Sequence, residues 1–389
     1  MLPRTARMSL CLLTAGAATW ATVLPAFATV AFAPYQSIVV GSAPASVAIG
    51  DFNGDGRNDV AMSTTFGFDD ANDFSVFLFV QRATGALAAP TRLGARGQFG
   101  DAMSLAAGDV DGDGRTDLVL ATGGGLDVFV QGRGHRGLGA PTLVPTTNEA
   151  FQTVVADVDG DDRNDLVAST RDGVVLLHND GNLAFTAATV TTDPQWQVAV
   201  ADLTGDDRPD VAGCSGLNLC TGAVNVFRQD LTGGTTSWPQ ATYPAQGGEF
   251  ANGCGLGTGD LTGDGLADVA LSLCANGPSA LINVFGQAPD GTLAAPVAYP
   301  SFQVPAPVVV ADVNGDARSD VVTLHEGWLQ IGVYEQQPGG GLATEELFPI
   351  PGGSGFQPTS LAAGDIDSDG KPDLVYADLG NGLVILRQQ

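Results

Sequence analysis

Short apolar or alternating runs recur along the chain, separated by glycine-rich turns and acidic stretches. In the first repeat such runs fall at residues 46–50, 59–62 and 76–80, and a more polar run at 142–145 ends the second repeat. Runs this short, rich in branched and aromatic residues and without a helical period, are typical of β-strands. The pattern therefore predicts an all-β chain with four short strands in each repeat.

A nine-residue acidic loop follows the first predicted strand of every repeat. Its opening aspartate recurs seven times, at intervals of 45 to 58 residues, and we number the loops 1–7 in chain order. Four strands per period of about 50 residues is typical of propeller blades. An open calcium-binding β-solenoid is the alternative, but its turns repeat every ~9 or ~20–30 residues.

The two ends of the chain fit the same ring. The seventh repeat supplies runs at 373–377 and 382–386 and stops one strand short, while residues 31–40 form a strand-like run ahead of loop 1. A last blade completed by the N-terminal segment leaves no open sheet edge. The sequence therefore predicts one seven-bladed β-propeller of four-stranded blades over residues 29–389, with the last blade closed by the N-terminal strand.

Each loop places oxygen-bearing side chains at positions 1, 3, 5 and 9. Carboxylates crowded into one short segment repel one another unless a cation lies among them, and Ca²⁺ prefers hard oxygen ligands. The spacing begins like the helix-loop-helix calcium loop, so position 7 is expected to offer its backbone carbonyl. Magnesium keeps its waters and matches less well, and purely polar turns are the structural alternative.

The sequence therefore predicts up to seven calcium ions, one in each loop. The predicted ligands are Asp51, Asn53, Asp55, Arg57 and Asp59 in loop 1; Asp109, Asp111, Asp113, Arg115 and Asp117 in loop 2; Asp157, Asp159, Asp161, Arg163 and Asp165 in loop 3; Asp202, Thr204, Asp206, Arg208 and Asp210 in loop 4; Asp260, Thr262, Asp264, Leu266 and Asp268 in loop 5; Asp312, Asn314, Asp316, Arg318 and Asp320 in loop 6; and Asp365, Asp367, Asp369, Lys371 and Asp373 in loop 7. Position 6 is glycine in four loops, and Ala317 takes that place in loop 6. Because alanine adopts a left-handed backbone poorly, loop 6 is expected to bind calcium most weakly.

Composition and charge limit the partners. The chain has 43 acidic and 16 basic residues, a formal net charge of −27, and 26 of the acids lie in the seven loops. A chain this acidic lacks the basic face that nucleic acids require, and it does not suit anionic lipid surfaces. We therefore expect no nucleic-acid partner.

The N-terminal segment has the features of a secretory signal peptide. Arg4 and Arg7 precede an apolar run at 8–24 and an Ala-Phe-Ala site at 26–28, which predicts a signal peptide over residues 1–28. An N-terminal membrane anchor is the alternative, although no stretch of the chain reaches the ~20 apolar residues of a spanning helix. The mature chain is therefore expected to be secreted or periplasmic, without a membrane span.

The cysteines agree with export. Cys214, Cys220, Cys254 and Cys274 remain after residue 28, and four cysteines allow three pairings. Cys254 lies ten residues before Asp264 and Cys274 ten after it, so a hairpin about loop 5 would bring them together. This favours Cys254–Cys274 and Cys214–Cys220, while a zinc site, the rival, lacks a CxxC pair and a nearby histidine.

Residues 105–117, Leu-Ala-Ala-Gly followed by loop 2, and the preceding Phe99-Gly100 resemble an FG-GAP repeat. That family includes the calcium-bearing propeller at the head of integrin α subunits and FG-GAP/VCBS-like repeat proteins of secreted bacterial type. The resemblance implies calcium at the loop positions given above. Ala121-Thr122-Gly123 replaces the GAP tripeptide and most repeats lack FG, so integrin-style ligand recognition does not transfer with it.

Two functions remain open. The first is a monomeric, noncatalytic binding or adhesion module for a glycan or an extracellular protein. Aromatic residues precede most of the first strands and either contact such a ligand or pack between blades: Phe99, Phe151, Trp196, Phe250, Phe302 and Phe356. Longer connections at 64–74, 214–220 and 274–279 are further places for recognition.

The second function is a calcium-dependent polysaccharide lyase or another carbohydrate-active enzyme on the same scaffold. A lyase needs a base, and the histidines are His135, His178 and His325. His178 and His325 adjoin turn residues, so their rings are expected to be solvated rather than catalytic. The sequence names no catalytic residue, and the binding module is the preferred hypothesis.

Overall fold

The computed structural model describes residues 30–67, 69, 71–94, 104–134, 136–216, 220–232, 235–247, 253–352 and 360–389. Apart from a short 3₁₀ segment at Gly277–Ser279, the regular structure in these residues is β-sheet. The strands are β1 (Gln36–Ile38), β2 (Ala43–Gly50), β3 (Asp59–Thr65), β4 (Ser75–Phe79), β5 (Thr91–Gly94), β6 (Leu105–Gly108), β7 (Asp117–Thr122), β8 (Gly125–Phe129), β9 (Thr142–Pro145), β10 (Ala150–Ala156), β11 (Asp165–Thr170), β12 (Gly173–Gly181), β13 (Ala184–Thr191), β14 (Gln195–Ala201), β15 (Asp210–Ser215), β16 (Ala223–Phe227), β17 (Asp230–Thr232), β18 (Thr235–Ser237), β19 (Gln240–Pro244), β20 (Gly253–Gly259), β21 (Asp268–Leu273), β22 (Leu281–Phe285), β23 (Val297–Pro300), β24 (Pro305–Ala311), β25 (Asp320–His325), β26 (Gln330–Tyr334), β27 (Glu346–Pro349), β28 (Leu361–Gly364), β29 (Asp373–Asp378) and β30 (Gly382–Leu386).

The strands form seven four-stranded antiparallel sheets, which we call blades 1–7 in chain order. Blades 1–6 are β2–β5, β6–β9, β10–β13, β14–β16 with β19, β20–β23 and β24–β27, and blade 7 is β28–β30 with β1. The first strands of neighbouring blades contact one another around the ring, and β28 contacts β2 to complete it. The predicted seven-bladed propeller is therefore confirmed.

The N-terminal strand closes the ring as the sequence predicts. β1 pairs antiparallel with β30, Gln36 opposite Ile385 and Ile38 opposite Leu383. The pairing continues beyond the strand, because Gln389 N–H donates to the Ala31 carbonyl at 2.8 Å. Blade 7 thus takes its outer strand from the other end of the chain, which removes the open edge.

The hydrophobic core is divided among the blade interfaces. Seven clusters of buried side chains lie between neighbouring blades, and each receives the apolar residue at position 2 of one loop. Phe52 of loop 1, for example, packs with Leu118 and Leu120 of blade 2, and Ile366 of loop 7 packs with Val60 of blade 1. Each loop is therefore anchored at the interface between its own blade and the next.

The first strands approach closely at the centre of the ring. A Cβ added to Gly108 would lie 2.5 Å from Val155 Cγ1 of the next blade, and one added to Gly259 would lie 2.6 Å from Val310 Cγ1. Small residues at the ends of the first strands are therefore a requirement of the ring geometry.

The antiparallel order gives the ring two distinct faces. Loops 1–7 join first to second strands and lie on one side, which we call the loop face. The turns between second and third strands lie on the opposite side, which we call the turn face; they span residues 66–74, 123–124, 171–172, 216–222, 274–280, 326–329 and 379–381.

Both favoured disulfides are present. The Cα atoms are 5.1 Å apart in Cys214–Cys220 and 5.6 Å apart in Cys254–Cys274, within the usual range. They staple the turn face of blades 4 and 5 and agree with an extracellular or periplasmic location. In the described part of the chain no helix is long and apolar enough to cross a membrane. The predicted signal peptide, residues 1–28, lies outside the described residues and stays a prediction.

Candidate metal loops and turn face

The aspartate at position 1 holds each loop in shape. In loop 1, Asp51 accepts hydrogen bonds from the backbone N–H groups of Gly54 (2.7 Å), Asp55 (3.1 Å) and Gly56 (2.7 Å). The bonds from positions 4 and 6 recur in all seven loops. Both positions are left-handed, with φ of 75° and 82° in loop 1, which explains the glycines there.

The aspartate at position 9 is buried in every loop, with at most 1% of its surface exposed. Its Oδ1 accepts a hydrogen bond from a backbone N–H at the end of the third strand. In blade 2 this donor is the N–H of Gln131, 2.8 Å from Asp117 Oδ1. Its Oδ2 accepts the N–H of position 2, as from Val110 to Asp117 at 2.8 Å. Each loop therefore carries one deeply buried carboxyl group whose orientation is fixed from two sides.

Burial raises the pKa of all seven position-9 carboxyls above the ordinary aspartate value. The pKa reaches about 6 for Asp59, Asp320 and Asp373, where desolvation is reinforced by the other carboxylates of the loop. A raised pKa means that the ionised form is unfavourable in the protein alone. A cation placed in the loop would relieve this cost.

Positions 3 and 9 face one another. In loop 1, Asn53 Nδ2 donates to Asp59 Oδ2 at 3.0 Å, and in loop 4, Thr204 Oγ1 donates to Asp210 Oδ2 at 3.0 Å. In the three loops with aspartate at position 3, carboxylate oxygens converge to within 4.8 Å of one another; the groups are Asp109, Asp111 and Asp117 in loop 2, Asp157, Asp159 and Asp161 in loop 3, and Asp365, Asp367 and Asp373 in loop 7. Converging carboxylates of this kind suit an oxygen-ligated divalent ion, but in loop 7 the guanidinium of Arg387 also lies 2.7 Å from Asp367 Oδ2.

Position 7 has a role that the sequence reasoning missed. The expected contribution was a backbone carbonyl, and that stays a prediction. In five loops, however, the arginine side chain at position 7 pairs with the position-5 aspartate, as in Arg57–Asp55. In four of these loops, 1, 2, 3 and 6, its Nε also donates to the carbonyl of the amide residue at the end of the third strand, at 3.0 Å from Arg318 to Gln336. The arginine therefore ties the loop to its own blade.

The amide residue after the third strand is a second feature that the sequence reasoning missed. It is Gln81, Gln131, Asn179, Gln229, Gln287, Gln336 and Gln388 in blades 1–7. Besides donating its N–H to position 9, in blades 2, 3, 4 and 6 it donates from its side chain to the loop of the preceding blade, as from Gln131 Nε2 to the Asp51 carbonyl at 2.5 Å and from Gln229 Nε2 to the Val158 carbonyl at 2.9 Å. The recurring aromatic-x-Gln at 79–81, 129–131, 227–229, 285–287 and 334–336 was the available signal.

Of the two histidines that are described, the expectation of a solvated ring was wrong for His325, and the His178 side chain is 23% exposed. His325 is fully buried, with Nδ1 2.9 Å from the Gln303 carbonyl and Nε2 2.8 Å from Glu345 Oε1. His178 lies within β12, and its Nδ1 is 3.3 Å from Asp159 Oδ2 of loop 3. Neither ring is presented to the turn face as a free base. His135 lies outside the described residues.

The aromatic residues before the first strands divide between the two expected roles. Phe151 and Trp196 are buried with ring centroids 5.5 Å apart and pack in a cluster between blades. Phe302 instead packs edge-on against Trp328, with centroids 5.9 Å apart, and Trp328 is 48% exposed. Phe99, Phe250 and Phe356 lie outside the described residues.

Exposed apolar side chains gather on the turn face of blades 6, 7 and 1. They are Trp328 and Leu329 in blade 6, Leu379 in blade 7 and Phe66 in blade 1, each about half exposed. Phe66 stacks on Phe74, with centroids 6.4 Å apart. We call these four residues the apolar rim. Large exposed apolar residues grouped on one face are typical of interaction surfaces.

Solved structures share the fold at low identity. The chain is similar to BBS1N in its complex with ARL6DN (TM-score 0.62, 14% identity, 92% of this chain and 97% of that one). It is similar to an Agrocybe aegerita lectin that recognises non-reducing terminal N-acetylglucosamine (TM-score 0.55, 19% identity, 90% and 91%). It is also similar to a 6-phosphogluconolactonase homologue from Bacteroides fragilis (TM-score 0.50, 13% identity, 80% and 97%). Identities this low show the fold alone.

A family model covers the loops directly. No curated protein matches the chain at a significant level. The FG-GAP-like repeat model matches residues 51–120, 109–168, 157–213 and 312–376, which together make up more than half of the chain. The matches include loops 1–4, 6 and 7 with the strands that flank them. The chain therefore belongs to the FG-GAP-like repeat family.

Proposed function

We propose that this protein is an exported, calcium-stabilised binding module that recognises a glycan or an extracellular protein through its turn face. The main support for calcium binding is the buried carboxyl group at position 9 of every loop, whose pKa is raised by burial. A divalent ion offsets that desolvated charge, and the neighbouring oxygens at positions 1, 3 and 5 supply further ligands.

The apolar rim supports the choice of the turn face. Trp328 stands beside Phe302, and an exposed indole can stack on the apolar face of a sugar or fill a pocket of a protein partner. The loop face is engaged by its own carboxylates and arginines. The lectin from Agrocybe aegerita is a propeller-like neighbour that recognises a sugar, which makes glycans the first ligands to test.

The alternative of a polysaccharide lyase has less support. Both ring nitrogens of His325 are engaged, by Gln303 and Glu345, and His178 faces loop 3. Neither can act as a base toward a substrate on the turn face without rearrangement.

A glycan array and an extracellular-protein screen, run in Ca²⁺ and in EDTA, test the proposal. We expect a hit that is lost in EDTA and weakened at least tenfold by Trp328→Ala or Phe66→Ala. Leu231→Ala, a change at a 52% exposed residue of β17 outside the turn face, is the control and is expected to bind normally. Turnover of an acidic polysaccharide to unsaturated products, or a hit indifferent to Trp328, would reject the proposal.

A further inference from the structure

The residue immediately before the amide residue described above lies against the acidic loop of its own blade in three cases, His178, Gly286 and Arg387. We call it the overhang position; it is Val80, Val130, His178, Arg228, Gly286, Glu335 and Arg387 in blades 1–7. A Cβ added to Gly286 would lie 3.2 Å from Thr262 Cγ2 and 3.8 Å from Asp268 Oδ1. A side chain at this position can therefore reach loop positions 3 and 9.

In blade 7 the overhang residue places a positive charge in the loop. Arg387 Nη1 lies 2.7 Å from Asp367 Oδ2, at position 3, and 3.6 Å from Asp373 Oδ2, at position 9. The Arg387 side chain is only 16% exposed, and its Nη2 donates to the Gly85 carbonyl of blade 1 at 3.0 Å. The guanidinium is thus held on one side by the loop and on the other by the neighbouring blade.

Loop 2 is the matched case without that charge. Its aspartates at positions 1, 3 and 9 converge within 4.8 Å, as do those of loop 7. Its overhang residue is Val130, which packs against the apolar cluster of that interface. The two loops therefore offer the same three carboxylates. In loop 7 a guanidinium lies between positions 3 and 9, whereas in loop 2 Arg115 pairs with Asp113 at position 5 and Arg133 adds a positive charge near Asp111.

We propose that the Arg387 guanidinium is the built-in cation of loop 7, so that loop 7 takes no calcium while loop 2 does. Calcium needs six to eight oxygens at about 2.3–2.6 Å, and a guanidinium nitrogen between positions 3 and 9 occupies that space and repels a second cation. Access is not the obstacle, because a cleft of about 360 Å³ lined by Asp367, Asp369 and Arg387 opens onto the loop. The inference rests on the proposed calcium function of the other loops.

The position of loop 7 makes the proposed replacement of calcium by Arg387 important for closure of the ring. Loop 7 lies at the interface of blades 7 and 1, where the two ends of the chain close the ring. A covalently attached cation balances part of the loop's negative charge when calcium is scarce. The closure of the ring therefore depends less on a bound metal than the interfaces at which we propose calcium.

Exchanging the two overhang residues tests the inference. Bound Ca²⁺ per chain is measured by equilibrium dialysis with radiolabelled Ca²⁺, on chains first stripped with EDTA and shown by circular dichroism to be folded. We expect Arg387→Val to bind one ion more than the wild type, Val130→Arg one ion fewer, and the double variant the wild-type number. Arg228→Val is the matched control, because the Arg228 guanidinium pairs with Asp230, at 3.3 Å from Nη2, and the number of bound ions should not change.

Thermal unfolding in EDTA gives a readout that needs no calcium. Arg387→Val is expected to unfold at a lower temperature than the wild type, because it leaves three carboxylates without the neighbouring positive charge. Val130→Arg is expected to unfold at a higher temperature. Unchanged ion numbers together with unchanged melting in EDTA would overturn the inference. A wild type that binds no calcium, with Arg387→Val still destabilised in EDTA, would overturn the calcium function but keep the role of Arg387. Should Arg387→Val not fold, Val130→Arg carries the test alone.

Discussion

The backbone conformation of single loop residues follows from one repeated turn. Position 6 donates its N–H to the position-1 aspartate only with a left-handed backbone, which Gly56, Gly114, Gly265 and Gly370 adopt without strain. Ala317 adopts it with φ of 64°, and Ser368 does the same at position 4 of loop 7. The turn therefore imposes a left-handed backbone even on residues that disfavour it. For a residue with a Cβ this costs ~1–2 kcal/mol of conformational free energy.

Replacing Ala317 by glycine is expected to raise the free energy of unfolding by about 1 kcal/mol, since the relief of backbone strain exceeds the added freedom of the unfolded chain. Urea unfolding in excess Ca²⁺ measures it. Gly265→Ala in loop 5 is the reciprocal control: its φ is 86°, no atom lies within 4 Å of the added Cβ, and it should lose a similar amount. Equal stabilities of Ala317→Gly and the wild type would show that the loop relaxes around alanine.

The sequence predicted what depends on local pattern. Seven acidic loops and short strands between them define the blades, and left-handed positions explain the glycines. The histidines show the limit: His325 ends a strand beside a turn, yet its ring is buried because Gly332 leaves room for it and for Glu345. An added Cβ at Gly332 would lie 2.7 Å from His325 Nε2. Contacts across a sheet or between blades depend on ring geometry, which no local pattern contains.

At the scale of the elements, the third strand of a blade can link two loops. Its amide residue binds the position-9 aspartate of its own loop through the backbone, and in blades 2, 3, 4 and 6 its side chain donates to a carbonyl of the preceding loop. Gln229 does both, with Asp210 Oδ1 at 2.9 Å and the Val158 carbonyl at 2.9 Å. In the described structure the side chain of Gln287 lies within hydrogen-bonding distance of no polar partner. The link is therefore stronger at some blade interfaces than at others.

Gln229→Ala is expected to lower the free energy of unfolding by about 1–2 kcal/mol, because it leaves the buried Val158 carbonyl without its donor. Gln287→Ala removes a side chain of the same size without breaking such a bond, and should cost less than half as much. Urea unfolding of both variants under the same conditions measures the difference. Equal losses would mean that packing and not the cross-blade hydrogen bond determines the cost.

For the whole molecule, stability is distributed over seven similar interfaces. Each contains one apolar cluster and one loop anchored by its position-2 residue, so the acidic loops and the core lie at the same interfaces. An ion that binds only the folded ring contributes RT ln(1 + [Ca²⁺]/Kd), about 2.7 kcal/mol at a hundredfold excess. The proposed function, with several such sites in one ring, therefore predicts folding that depends strongly on calcium.

Removing calcium at pH 7.5 is therefore expected to lower the melting temperature by on the order of 10 °C or more. The effect should shrink at pH 5. The pKa of Asp59 and Asp320 is about 6 in the metal-free fold, above the unfolded value, so these two groups stabilise the metal-free ring most below about pH 4, and that contribution is lost as pH rises through 6. Scanning calorimetry in EDTA and in Ca²⁺ at both pH values measures this, with Mg²⁺ as the control ion that should not restore stability. Identical melting in EDTA and Ca²⁺ at pH 7.5, or a larger difference at pH 5, would contradict calcium at the buried carboxylates.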